Sequence, residues 1–192
     1  IIASVLYWSI KNGQTPVFVT KNTDLISDII RDFRDIGVLD QIEPLIISGS
    51  DVVEKDTGVV YRDKNTIRKE LDSLNLSAKD TAGGLDYVPL NKAKKKYNIV
   101  LTAYSQLSTV NKRALRELPK RGRVTKRSEN FIVPLPYNAL DNRAKLVMDV
   151  LMQSKLPVAV IDESHVGAGQ DSYASQVVQN IIQSTQDRGM LL

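Results

Sequence analysis

Short, unbroken apolar runs rich in β-branched residues alternate along this chain with segments whose apolar positions recur every three or four residues. The runs are Pro16-Val17-Phe18-Val19-Thr20, Leu45-Ile46-Ile47, Tyr97-Asn98-Ile99-Val100-Leu101-Thr102 and Leu156-Pro157-Val158-Ala159-Val160-Ile161-Asp162, with Met190-Leu191-Leu192 beginning another. A strand with one wet face alternates apolar and polar residues, whereas a run apolar at nearly every position is covered on both faces. Such strands interleaved with amphipathic helices predict an α/β fold, a mostly parallel central sheet between two helix layers.

The helical segments carry their own punctuation. Residues 1–12 place Ile2, Val5, Leu6 and Ile10 at helical spacing and stop at Asn12-Gly13. Tyr7 and Trp8 on that helix are expected to pack in the core. Thr23-Asp24 offers an N-cap for a helix over 24–36, with Leu25, Ile29, Ile30, Phe33 and Ile36 on one face and Gly37 after it. Further helices are predicted over 105–118, over 141–154 (capped by Asp141, with Ala144, Val147, Met148 and Leu151 inward) and over 172–186. Residues 49–91 are polar and carry one short helical stretch from Thr66 to Leu74, so they read as an insertion on the surface of a single domain spanning 1–192.

Composition removes several chemistries. The chain has no cysteine, which excludes disulfide scaffolds, thiolate zinc sites and cysteine nucleophiles, and fits an intracellular protein, cytoplasmic in a bacterial or phage setting and nuclear in a eukaryote. A single histidine, His165, excludes multi-histidine metal sites. No apolar run approaches the roughly 20 residues needed to span a bilayer. The N-terminal IIASVLYWSI lacks the flanks of a signal peptide. The net charge of +4 is unevenly spread. Basic residues crowd into Lys92, Lys94, Lys95 and Lys96, and again into Lys112, Arg113, Arg116, Lys120, Arg121, Arg123, Lys126 and Arg127. Such runs make a solvated surface or an electrostatic track for nucleic-acid phosphates. No aromatic residue is interleaved between 112 and 127, so base stacking is not expected there.

The most informative segment is Val158-Ala159-Val160-Ile161-Asp162-Glu163-Ser164-His165. Ligands of open parallel sheets bind outside the carboxyl ends of the strands. Phosphoryl transfer there needs one carboxylate to hold Mg²⁺, usually through water, and a second group to orient the attacking water. Asp162 and Glu163 are suited to those two roles. Alternatively, the same acids simply cap the next helix.

With its following Val166-Gly167-Ala168-Gly169, this segment resembles the Walker B motif of the DEAD/DEAH-like helicase superfamily in its Asp-Glu-x-His variant. Asn22-Thr23-Asp24-Leu25 and Arg31-Asp32-Phe33-Arg34-Asp35-Ile36-Gly37 look like the strawberry notch branch of that superfamily. Thr102-Ala103-Tyr104-Ser105-Gln106-Leu107 is similar to the Thr-Thr-Tyr-Ser-x-Leu piece of that branch and of the Swi2/Snf2 motors. The resemblance covers most of the chain outside 49–91. It implies a first RecA-like ATPase domain, a three-layer sandwich, from a helicase or translocase on DNA or RNA that uses ATP and Mg²⁺ and pairs with a second RecA-like domain. By the same resemblance Glu163, Asp162 and His165 are the catalytic candidates, and Asp162 and Glu163 handle the metal-bound nucleotide. Thr20, Lys21, Asn22, Thr102, Tyr104, Lys112, Arg113 and Arg116 are the nucleic-acid candidates.

One departure is sharp. The Gly-x-Gly-Lys-Ser/Thr phosphate loop of the family is missing from the sequence, and Ile1-Ile2-Ala3 reads as a continuation of the helix after it, as in a fragment that alone does not hydrolyse ATP. A non-hydrolysing RecA-like nucleic-acid-binding module is the alternative. An α/β-hydrolase with Ser105 or Ser164 as nucleophile fits poorly, because there is no Gly-x-Ser-x-Gly elbow and His165 directly follows Ser164.

Overall fold

The computed structural model describes residues 1–76, 90–107, 136–162, 173–186 and 189–191. Five strands, β1 (Val17–Thr20), β2 (Pro44–Ile47), β5 (Ile99–Ala103), β6 (Val158–Ile161) and β7 (Met190–Leu191), form one sheet in the order β2-β5-β1-β6-β7. Every pairing in it is parallel, with Val17 opposite Val100 on one side and Ala159 on the other. All residues of β1 and β5 are buried, which is why both read as continuous apolar runs.

Helices α1 (Ile2–Lys11) and α2 (Asp24–Asp35) pack against each other. Helix α6 (Asn142–Met152) packs against α4 (Leu90–Lys96) and α7 (Tyr173–Gln186). The crossover β1-α2-β2 runs one way along the sheet, while β5-α6-β6 and β6-α7-β7 run the other. Right-handed connections therefore put α2 on one face and α6 and α7 on the opposite face. The architecture is α/β, an all-parallel central sheet flanked by helices. Leu6, Ile26 and Phe33 are among its fully buried side chains, as are Leu45, Ile47, Ile99 and Leu101. Each contributes roughly 1.5–3 kcal/mol by leaving water.

Helix ends show how local chemistry sets the chain path. Gly37 takes φ +72° and lets the Val38 N–H return to the Phe33 carbonyl at 3.0 Å, closing α2. At its start the predicted Thr23 cap makes no side-chain capping bond. Asn22 does so instead, its Oδ1 accepting from the N–H groups of Asp24 (3.1 Å) and Leu25 (3.3 Å). Asp141 caps α6 as predicted, accepting from the Ala144 N–H at 2.9 Å.

The described part of the segment 49–91 shares the core of the sheet. It supplies a hairpin, β3 (Val52–Val53) with β4 (Val60–Arg62), which packs on α2, and helix α3 (Lys64–Ser73), capped by Asp63. Val52, Ile67, Leu71 and Leu76 are buried in the same core as the sheet. The apolar residues were too widely spaced for a strong helical period, yet they cover the β2 edge of the sheet. Trp8 also departs from expectation, standing 46 % exposed, while Tyr7 is half-buried and donates to Gln41 at 2.7 Å. Of the helix predicted over 105–118, the single turn α5 (Tyr104–Leu107) is described and the remainder lies outside the described residues. Among the described residues no helix is long and apolar enough to cross a membrane.

Candidate functional site

The parallel sheet brings Thr20, Tyr104 and Asp162 to one edge. Thr20 ends β1, Ala103 ends β5 beside it, and Asp162 follows β6, whose Ile161 stands beside Val19. From β1 the chain departs toward β2, and from β6 it departs toward β7 on the other side. The two strands are neighbours, so their carboxyl ends frame the topological switch point where open α/β sheets form a crevice.

Asp162 is held by its backbone from both sides. Its N–H donates to the Val19 carbonyl at 2.8 Å, and its carbonyl accepts the Tyr104 hydroxyl at 3.0 Å. Because β1 lies between β5 and β6, Tyr104 reaches over the end of the central strand to make that bond. The Asp162 carboxylate is partly exposed, and among the described residues no hydrogen bond or ion pair engages it. A rigidly placed, uncommitted carboxylate at this position is suited to a hydrated divalent cation, which keeps several waters and takes one or two protein carboxylates. Among the described residues no group of three metal-ligating side chains exists.

Thr20 contributes a different feature. Its hydroxyl is buried and has no hydrogen-bond partner among the described residues. Leaving such a group unpaired costs about 1–3 kcal/mol. Lys21 beside it is exposed. Asn22 spends its carbonyl oxygen on the α2 cap and keeps only its amide donors for a ligand. Thr23 meets Ser50 at 3.1 Å, and the Ser48 hydroxyl donates to the Ser50 carbonyl at 2.9 Å, so the ends of β1 and β2 are joined by hydroxyl contacts.

Three nucleic-acid candidates, Thr20, Thr102 and Tyr104, are buried. Thr102 is fully buried within β5, its hydroxyl donating to the Ile47 carbonyl at 3.3 Å. Tyr104 is buried and occupied with Asp162. Through these bonds Thr102 and Tyr104 support the edge. Glu163, Ser164 and His165 lie outside the described residues, as do Lys112, Arg113, Arg116 and the basic stretch to Arg127.

Sequence reasoning missed a buried polar pair behind the edge. Arg143, in the first turn of α6, is only 4 % exposed and donates through Nη1 to Gln106 Oε1 at 2.6 Å. Burial pulls its guanidinium below the ordinary arginine value, and the buried Asp141 carboxylate pulls it back. An arginine directly after Asp-Asn at a helix start carries no sequence mark of burial.

Comparison with family models, with curated proteins and with solved structures finds no match to this chain.

Proposed function

We propose that the chain forms part of the first RecA-like motor domain of an ATP-dependent helicase or translocase acting on DNA or RNA. The observation that carries the reading is Asp162, an uncommitted carboxylate pinned by Val19 and Tyr104 at the carboxyl end of an interior strand. Helix α1 adds support. A five-residue loop joins it to β1 at the amino edge of the sheet, and its ten residues rise about 15 Å, so it starts at the same edge as Asp162. A phosphate loop leading into α1 would face that carboxylate.

In this reading Mg²⁺ supplies charge neutralisation to the phosphates of ATP, and Asp162 holds its hydration shell. Glu163, next along the backbone, orients the attacking water. His165 passes the state of the site to nucleic acid or to a second RecA-like domain. Lys21 and the Asn22 amide line the neighbouring rim for a nucleic-acid phosphate.

The experiment is a pair of measurements on the full-length protein. Glu163→Gln should reduce ATP turnover by about 100-fold or more while ATP affinity stays within a few-fold, because the shape is kept and the water-orienting carboxylate is lost. Undiminished turnover would assign hydrolysis to another group. A second reading is a RecA-like module that binds nucleic acid without hydrolysis. Full-length protein that binds nucleic acid but never turns over ATP would support that module instead.

A further inference from the structure

We infer that Arg143 and Gln106 form a buried clamp that positions the turn after β5 and, through Tyr104, the Asp162 end of β6. Both are positioning residues, and their link to chemistry rests on the reading of Asp162 given above.

The clamp is built on one helix end. The first turn of α6 grips two consecutive carbonyls at the end of α3: Asn142 Nδ2 donates to Asn75 (3.1 Å) and Arg143 Nε to Leu76 (2.6 Å). Asn75 takes φ +53°, and the Leu76 N–H returns to the Leu71 carbonyl at 2.7 Å, which turns both carbonyls outward from α3. A guanidinium buried this deeply needs charge-assisted donors fully used, and its Nη1 bond to Gln106 Oε1 supplies another.

That bond also fixes how Gln106 is oriented. With Oε1 given to Arg143, Nε2 turns to the Ser105 hydroxyl at 3.4 Å and toward Gly49 after β2, where a Cβ would stand 3.8 Å from it. Tyr104 lies two residues earlier in the same helical turn, about 200° round the axis, and so points the opposite way. The α5 turn is therefore held between two anchors, Arg143 on one side and the Asp162 carbonyl on the other. Releasing the first lets the turn move, and Tyr104 transmits that movement to Asp162.

Gln106 is the residue to vary, because Arg143 also secures Leu76. Gln106→Met removes the acceptor, whereas Gln106→Glu keeps an oxygen for Arg143. Amide hydrogen exchange of the full chain is read at 104–107 and at Asp162, and ATP turnover is read in the full-length protein. Gln106→Met and Tyr104→Phe should each speed exchange of the Asp162 amide by about 10-fold, with Gln106→Glu near wild type. Turnover kcat should fall about 10-fold in Gln106→Met at a KM for ATP within about twofold, and recover in Gln106→Glu. An unchanged Asp162 amide in Gln106→Met, or a Gln106→Glu variant as impaired as Gln106→Met, overturns the clamp. Faster exchange with unaltered turnover overturns its link to catalysis. Turnover that survives Asp162→Asn instead overturns the reading of the site, and the exchange rates still decide the clamp.

Discussion

Glu54 shows how one residue in a polar loop becomes structural. It is buried in the turn that joins β3 to β4, where the Thr57 hydroxyl donates to it and Arg34 of α2 pairs with it at 3.0 Å. The Thr57 bond first, and Arg34 second, hold its carboxyl below the ordinary glutamate value of 4.5. A depressed carboxylate stabilises the fold above that ordinary value and loses its contribution as pH falls through the lower folded value. Thermal unfolding should therefore separate wild type from Glu54→Gln most at neutral pH, with the gap narrowing below about pH 4.5. A gap constant down to about pH 3 would mean that the pairing does not depend on the charge. At this scale the sequence was legible where a residue's type fixes its job, as for the Asp141 cap or Gly37 at φ +72°. It was illegible where the job depends on what lies opposite. Asn22 and Tyr104 are nucleic-acid candidates in the sequence, and the first caps α2 while the second braces Asp162; Arg143 carries no sequence signal and is buried.

Among the elements, α3 separates the two views of the segment 49–91. Its buried face is Ile67, Glu70 and Leu71, and Leu74 and Leu76 continue that packing past its end. Leu71→Ala should cost about 2–5 kcal/mol in denaturant unfolding, the range for emptying a buried leucine site. A loss within about 0.5 kcal/mol, as surface positions give, would return the segment to the status of an appendage. The strands were readable because two-sided burial writes itself as continuous apolar residues, and β1, β5 and β6 fell inside their predicted runs or within one residue of them. The β3–β4 hairpin was not readable, because β3 has only two residues and β4 only three, too few to display an alternation. Helix α4 was hidden by its lysines, of which Lys92, Lys94 and Lys96 are exposed while Ala93 is buried.

At the level of the whole molecule, the order β2-β5-β1-β6-β7 accounts for the convergence of distant motifs. Residues near positions 20, 104 and 162 meet because their strands are neighbours and point the same way, a fact that topology supplies and linear order does not. The same scale governs the charge. Reversing the basic residues among Lys112, Arg113, Arg116 and Arg127 should lower nucleic-acid affinity and flatten its salt dependence, by a slope of roughly 0.9 for each duplex phosphate that is no longer neutralised. Binding with an unaltered slope would make that stretch an ordinary solvated surface. The central claim, that the carboxyl edge at Asp162 manages a metal-bound nucleotide, has its most direct test in paramagnetic broadening. With Mn²⁺ in place of Mg²⁺ and ATP bound to the full-length protein, the amides of Thr20, Tyr104 and Asp162 should broaden selectively, those of Asn98 and Val158 at the opposite edge should not, and Asp162→Asn should remove the effect. Broadening centred anywhere else, or unchanged by Asp162→Asn, would contradict it.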